Sequence, residues 1–215
     1  MHSSGHRLLW ALGIVHGDIS FNNLMYVEDD EGNKRGILND FDLASIVVPG
    51  TECPSKIGHR RTGTLVFMAL ELLDSLDGEI PRHYRHELES FVWVLLWAGL
   101  LHQVDQKLCR SPRHILDWVD LDPNNVYEKK SAFLGRFRKN LSGMTETQSP
   151  YYQVLHDSLV SLNKMSADSN LFLDETAKNI KQDHSREDQL LSDLIKAWKV
   201  DRGRWMDFKA PANTS

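Results

Sequence analysis

The chain of 215 residues has little cysteine and no long hydrophobic run. Its two cysteines, Cys53 and Cys109, are far apart and show no metal-binding spacing, so two free thiols in a reducing compartment are the simpler interpretation. The longest apolar stretch, residues 91–101, is too short to cross a bilayer, and the first residues contain no apolar segment typical of a signal peptide. We therefore expect an intracellular protein, in the cytoplasm or the nucleus, that has no membrane partner.

An excess of positive charge is absent as well. The formal net charge is -5, which excludes a general electrostatic attraction to nucleic acid, and we expect no nucleic-acid partner. Hydrophobic residues make up 41% and charged residues 26% of the chain, as in ordinary globular proteins. The length suits one domain with a buried core. We place this domain at residues 1–205 and a tail at residues 206–215.

The hydrophobic pattern predicts a mainly α-helical fold with a small β-hairpin. Short apolar runs at 24–27 and 36–38 flank a polar, turn-forming stretch, which is typical of a hairpin. Residues 86–101 are apolar on nearly all sides, which indicates a helix in the middle of the domain. Further segments are predicted as follows: helices at 126–140, 151–165 and 188–205, and polar loops at 48–61 and 166–187.

Three oxygen-bearing side chains are the most informative feature of the sequence. Asn23 follows Asp18 after four intervening residues, and Asp40 comes shortly after the predicted hairpin. In phosphoryl transfer, one carboxylate orients the attacking hydroxyl and receives its proton, while an amide oxygen and a second carboxylate hold Mg²⁺ against nucleotide phosphates. Turns or helix caps would explain each residue alone. The combination, with His16 just ahead of Asp18, favours phosphotransfer chemistry.

The same residues resemble known motifs of the C-terminal lobe of the eukaryotic protein-kinase-like fold. The run His16-Gly17-Asp18-x4-Asn23 resembles the catalytic loop of that lobe. Asp40-Phe41-Asp42 resembles its metal-binding motif, and the run from Gly63 to Glu71 resembles the end of its activation segment. Four short runs are most similar to the fungal-type protein kinase family: Asp42-Leu43-Ala44, Arg61-Thr62-Gly63-Thr64, Phe67-Met68-Ala69 and Glu87-Leu88-Glu89-Ser90-Phe91. The resemblance covers roughly residues 6–140.

The resemblance implies ATP- and Mg²⁺-dependent transfer of a phosphate to a Ser or Thr hydroxyl of a protein substrate. Asp18 would be the catalytic base, and Asn23 and Asp40 would be the Mg²⁺ ligands and so take part in binding the nucleotide. Thr64 would join the activation segment to the catalytic loop. Two further roles are structural: Glu71 would form an ion pair, and Glu87 would hold the catalytic-loop backbone from the central helix.

The sequence departs from the family pattern at several positions. Gly17 stands where an Arg usually pairs with a phosphorylated activation-loop residue, which argues against that switch. Ser20, which we include among the catalytic residues, stands where Ser/Thr kinases carry a Lys that meets the transferred phosphate. Asp42 replaces a Gly and makes that backbone less permissive. Leu70 replaces a Pro, which we expect to be a packing change of little mechanistic weight.

The first lobe of the kinase fold is not recognisable. No Gly-rich loop precedes His16, and no Lys occurs before Lys34, so the residues that would hold the ATP phosphates are expected to be missing. A fragment or truncated form of a protein kinase is therefore the first hypothesis. Two alternatives stay open: a small-molecule phosphotransferase, which can use the same loop without Lys, and a non-catalytic, pseudokinase-like interaction scaffold.

Overall fold

The computed structural model describes residues 5–47, 63–75, 80, 82–105, 115, 117–144 and 150–172. The predicted loop at 48–61, the predicted helix at 188–205 and the tail at 206–215 lie outside these residues. Among the described residues, we find no helical stretch whose length and hydropathy would suit a transmembrane span.

The described part of the chain is mainly helical and carries a small hairpin, as the hydrophobic pattern predicts. In chain order its elements are α1 (Gly5–Ala11), β1 (Ile14–Val15), β2 (Leu24–Glu28), β3 (Lys34–Leu38), β4 (Ser45–Ile46), α2 (Leu70–Asp74), α3 (Tyr84–Asp105), α4 (Pro123–Gly135), α5 (Phe137–Met144) and α6 (Pro150–Phe172). Three short 3₁₀ turns connect them at Phe21–Asn23, Leu65–Phe67 and Asp117–Asp120.

Two antiparallel strand pairs frame the N-terminal part. β2 and β3 form the hairpin, with Leu24 opposite Leu38 and Glu28 opposite Lys34. At its tip, Asp29 Oδ1 accepts hydrogen bonds from the backbone N–H groups two and four residues later, a local turn that the polar sequence favours. The two-residue strands β1 and β4 pair separately, so they bring the chain on either side of the hairpin together.

Helix α3 lies at the centre of the hydrophobic core, as its continuous apolar sequence predicts. Val92, Trp93 and Leu96 are at most 2% exposed and belong to the same buried cluster as residues of α4, α5 and α6. The Trp93 ring packs edge-on against Trp118 and Phe133 at 6.0 and 6.3 Å. Each such side chain contributes roughly 1.5–3 kcal/mol through burial. The core therefore gives α3 a rigid position from which its polar residues reach the N-terminal loops.

Two helical predictions differ from the structure. Residues 126–140 form two helices, because the chain leaves helical geometry at Arg136, where φ is -133° and ψ is 20°. Phe133 and Phe137, on either side of this break, are both buried in the core. The helix predicted to end at residue 165 continues to Phe172, so the first part of the predicted polar loop at 166–187 is helical.

Candidate active site

The loop between β1 and β2 positions Asp18 and Asn23 against each other. Asn23 ends the 3₁₀ turn Phe21–Asn23 and is buried. Its Nδ2 donates to the backbone carbonyl of Asp18 at 2.9 Å and to the Asp18 Oδ2 at 3.4 Å. Ser20 precedes the turn in extended conformation and is also buried. Among the described residues, no hydrogen bond joins the Ser20 side chain to Asp18, and its catalytic role stays a prediction.

Thr64 reaches the same carboxylate from a distant segment. Its backbone N–H and its Oγ1 both donate to the Asp18 Oδ1, at 2.7 and 2.9 Å. Two donors on one oxygen fix the carboxylate plane and leave Oδ2 on the side of Asn23. The expected contact between the Thr64 segment and the catalytic loop is therefore present.

Two glycines allow the backbones to approach closely here. Gly17 has φ +82°, and a Cβ at this position would lie 2.8 Å from the carbonyl oxygen of Leu43. Gly63 has φ +116°, and its Cβ would lie 2.9 Å from the carbonyl oxygen of Gly17. Both contacts are with backbone atoms that cannot rotate away. Gly17 is therefore required here by the close approach of the Leu43 carbonyl, a reason separate from the expectation about phosphorylation.

Side chains from α3 and from the residues before it form hydrogen bonds to the backbone of Gly17. Glu87 Oε1 accepts from the Gly17 N–H at 2.8 Å, which confirms the expected support from the central helix. Arg82 donates to the Gly17 carbonyl at 2.9 Å, and His6 lies 2.6 Å from the second oxygen of Glu87. The sequence did not predict the contacts of His6 and Arg82, because each contact joins residues that are far apart in the chain.

Asp40 follows β3 and lies at the surface. Its φ is +62°, in the left-handed region that few residues other than Gly adopt but that Asp tolerates. The preceding residue, Asn39, is tied to the catalytic loop: its N–H donates to the Asn23 carbonyl at 2.8 Å, and its carbonyl lies 2.9 Å from His16 Nε2. Within the described residues, no hydrogen bond joins the Asp40 side chain to Asp18 or Asn23.

The sequence predicts two Mg²⁺ ligands, Asn23 and Asp40. The described residues contain no group of three or more His, Cys, Asp and Glu side chains that could hold a metal ion by itself. Asn23 and Asp40 offer an amide and a carboxylate oxygen, which is the chemistry that Mg²⁺ prefers, and Mg²⁺ sites of this kind take their other ligands from phosphates and water. Their role as ligands of a magnesium–nucleotide site stays a prediction.

Helix α2 is joined to the start of α3 by the predicted Glu71 ion pair. Glu71 Oε2 lies 2.6 Å from the Arg85 guanidinium and 2.7 Å from His86 Nε2. Burial acts to raise the pKa of Glu71, but the hydrogen bond and charge of these partners outweigh it and lower the pKa to about 2. Burial lowers the pKa of His86, and the hydrogen bond and charge of Glu71 oppose this effect.

The replacement of Pro by Leu70 matters more than the sequence indicates. The Leu70 N–H donates to Glu89 Oε1 at 2.9 Å, and Pro has no N–H to make this bond. The change therefore adds a main-chain hydrogen bond to the packing change that we expected. The end of the segment is bound to α3 through its main chain.

Comparison with models of known protein families supports the resemblance seen in the sequence. Residues 4–99 match the family model described as fungal protein kinase. The resemblance to the fungal protein kinase family is thereby confirmed over this stretch, which contains Asp18, Asn23, Asp40 and Thr64 and ends short of the residue 140 expected from the sequence. No curated protein matches the chain.

Proposed function

We propose that this chain forms the C-terminal lobe of a protein-kinase-like fold and takes part in Mg²⁺- and ATP-dependent transfer of a phosphate to a protein Ser or Thr hydroxyl. The observation that carries the proposal is the pair of hydrogen bonds from Thr64 to Asp18. They place the run from Gly63 to Glu71, similar to the segment where kinases bind protein substrates, directly beside the candidate base. The family match supports a kinase-like function.

In this proposal one side chain acts on the substrate hydroxyl, and others act on the nucleotide. Asp18 orients the substrate hydroxyl and accepts its proton as the hydroxyl oxygen bonds to the γ-phosphorus of ATP, while the bond from that phosphorus to the β–γ bridging oxygen breaks and ADP leaves. Asn23 and Asp40 would hold Mg²⁺, which when bound would neutralise charge on the ATP phosphates. Glu87 keeps the loop in place through the Gly17 N–H. Ser20 supplies no positive charge to the transferred phosphate, so we expect a slow enzyme.

The first test measures transfer of the γ-phosphate of ATP by the natural protein isolated from its source cells. Asp18→Asn is expected to lower transfer to protein by roughly 10²–10⁴-fold, because Asn cannot accept the hydroxyl proton. Asp30→Asn is the matched control: this residue lies exposed at the tip of the hairpin. Equal activity of the Asp18 variant and the natural protein would overturn the assignment of the base.

The metal assignment has its own test. Asp40→Ala is expected to abolish Mg²⁺-dependent turnover, since it removes the charged ligand of the proposed pair. The assay compares rates over a series of Mg²⁺ concentrations, with Asp30→Ala as control. Unchanged turnover would contradict the assignment of Asp40 as a metal ligand.

The two alternatives predict other outcomes of the same assays. Transfer to small alcohols without transfer to protein would favour a small-molecule phosphotransferase. No transfer by the natural protein, with a full biological effect of the Asp18→Asn variant, would favour a pseudokinase-like scaffold. The Gly63–Glu71 segment favours the protein kinase, because an enzyme for small molecules needs no surface for docking a protein.

A further inference from the structure

Lys130 is a buried cation that the proposed chemistry does not use. It lies on α4 and is 0% exposed. Its Nζ donates to the backbone carbonyl of Met68 and lies 4.3 Å from the centre of the Trp93 ring. An ammonium group loses much solvation free energy on burial, so a fully buried Lys needs a compensating role in the structure.

Glu89 of α3 binds the same piece of main chain from the other side. It is 6% exposed, and its Oε1 accepts from the Leu70 N–H and from Trp93 Nε1, both at 2.9 Å. Glu89, Trp93 and Lys130, which we call the buried clamp, therefore bind a carbonyl and an amide two residues apart. The residue between these two groups, Ala69, is completely buried.

The clamped main chain leads directly to the candidate base. The Met68 N–H donates to the Thr64 carbonyl at 3.2 Å, and the Phe67 N–H donates to the same carbonyl at 2.9 Å. Thr64 in turn makes the two hydrogen bonds to Asp18. One end of this short turn is thus bound to the catalytic loop, and the other end is bound to the clamp.

The charges of the clamp depend on each other. Burial lowers the pKa of Lys130 to about 7, against the opposing effect of the Glu89 charge. Burial raises the pKa of Glu89, Lys130 lowers it again, and the nearby charge of Glu71 on α2 adds to the rise. Removal of either charge leaves the other one buried without its counter-charge, which loosens the hold on the main chain.

We propose that Glu89, Trp93 and Lys130 clamp the main chain of residues 68–70 and thereby hold Thr64 against Asp18, so that Lys130 is a positioning residue for phosphotransfer to protein. This role rests on the proposed function, but the clamp itself is a property of the fold. Its effect on the segment can therefore be measured without any assay of turnover.

The test is amide hydrogen exchange of the full chain, followed by NMR or mass spectrometry. Lys130→Met keeps the length of the side chain and removes its charge and its donor. We expect the Leu70 and Thr64 amides to exchange at least about tenfold faster in this variant, relative to the amides of the β2–β3 hairpin. Lys129→Met is the matched control on the exposed face of the same helix, and its exchange should stay within about twofold.

Glu89→Gln provides a second variant in case the first one does not fold. Its amide oxygen can still accept both hydrogen bonds, so faster exchange would report the loss of charge alone. Unchanged protection of Leu70 and Thr64 in both variants would overturn the clamp, even if the natural protein is an active kinase. A natural protein without turnover would instead contradict the proposed function and leave the exchange result valid.

Kinetics then test the link to catalysis. Lys130→Met is expected to raise KM for a protein substrate and lower transfer to protein, while hydrolysis of ATP by water changes less. Lys130→Arg, which keeps the charge, should recover part of the transfer. An equal loss of both reactions would mean that Lys130 supports the fold and does not position the docking segment.

Discussion

Gly17 shows how a single residue determines the path of the candidate catalytic loop. The sequence identifies it only as a departure from the family's Arg. The structure adds that its φ of +82° and the nearby Leu43 carbonyl leave no room for a Cβ. This requirement depends on the position of a chain segment 26 residues further on, and a local pattern cannot reveal it.

We predict that Gly17→Ala destabilises the protein. The substitution combines a left-handed backbone with a contact of 2.8 Å to a backbone oxygen, and strain of this kind costs about 1–3 kcal/mol. Urea unfolding at neutral pH measures the loss. Gly36→Ala is the control, since a Cβ there meets nothing within 4 Å and β3 favours a residue with a side chain. Equal stability of both variants would mean that the loop can avoid Leu43.

At the scale of elements, prediction succeeded where the signal is local. The hairpin follows from two apolar runs around a polar turn, and α3 follows from a continuous apolar stretch. The break at Arg136 has no such signal, because Phe133 and Phe137 are four residues apart, a spacing that also suits one face of an unbroken helix. The extension of α6 to Phe172 was also not predicted, since polar helix formers and polar loop residues look alike in sequence.

The Glu71 ion pair between α2 and α3 leads to a prediction about the stability of the protein at low pH. His86 Nδ1 accepts from the His83 N–H at 3.1 Å, so its proton is on Nε2, which faces Glu71. The pKa of Glu71 is about 2 when folded, against an ordinary value of 4.5. Glu71 therefore contributes stability above pH 4.5, and this contribution is lost as the pH falls towards 2.

Glu71→Gln should be less stable than the natural protein at pH 7, and the difference should shrink between pH 4.5 and 3. We expect about 1–3 kcal/mol at pH 7, allowing for the partial exposure of the Glu71 side chain. Chemical unfolding at each pH measures the difference. Glu128→Gln, an exposed change on α4, serves as control. A difference that stays constant with pH would show that the Glu71 charge does not matter.

On the scale of the whole molecule, the sequence identifies the candidate site residues better than the residues that hold them in place. Asp18, Asn23 and Thr64 lie in recognisable motifs, and the structure brings them together. Lys130 lies in no such motif, yet it is completely buried. Its acceptor, the Met68 carbonyl, is 62 positions away, so only the packing of α4 on the segment could reveal the contact.

The burial of Lys130 should be measurable in the stability of the whole protein. In the unfolded chain Lys130 keeps its proton up to its ordinary pKa of 10.5, whereas in the folded protein the pKa is about 7. Between these values the unfolded state binds more protons, so rising pH favours the folded state. Lys130→Met lacks this titration, so the natural protein gains stability over the variant as the pH rises.

We therefore expect the difference in unfolding free energy between the natural protein and Lys130→Met to move in favour of the natural protein from pH 7 to pH 9. The slope for one proton is at most about 1.4 kcal/mol per pH unit. Urea unfolding at half-unit steps of pH gives this slope, and Lys129→Met, an exposed change on the same helix, serves as the control. A flat difference across this range would contradict the lowered pKa of Lys130 in the folded protein.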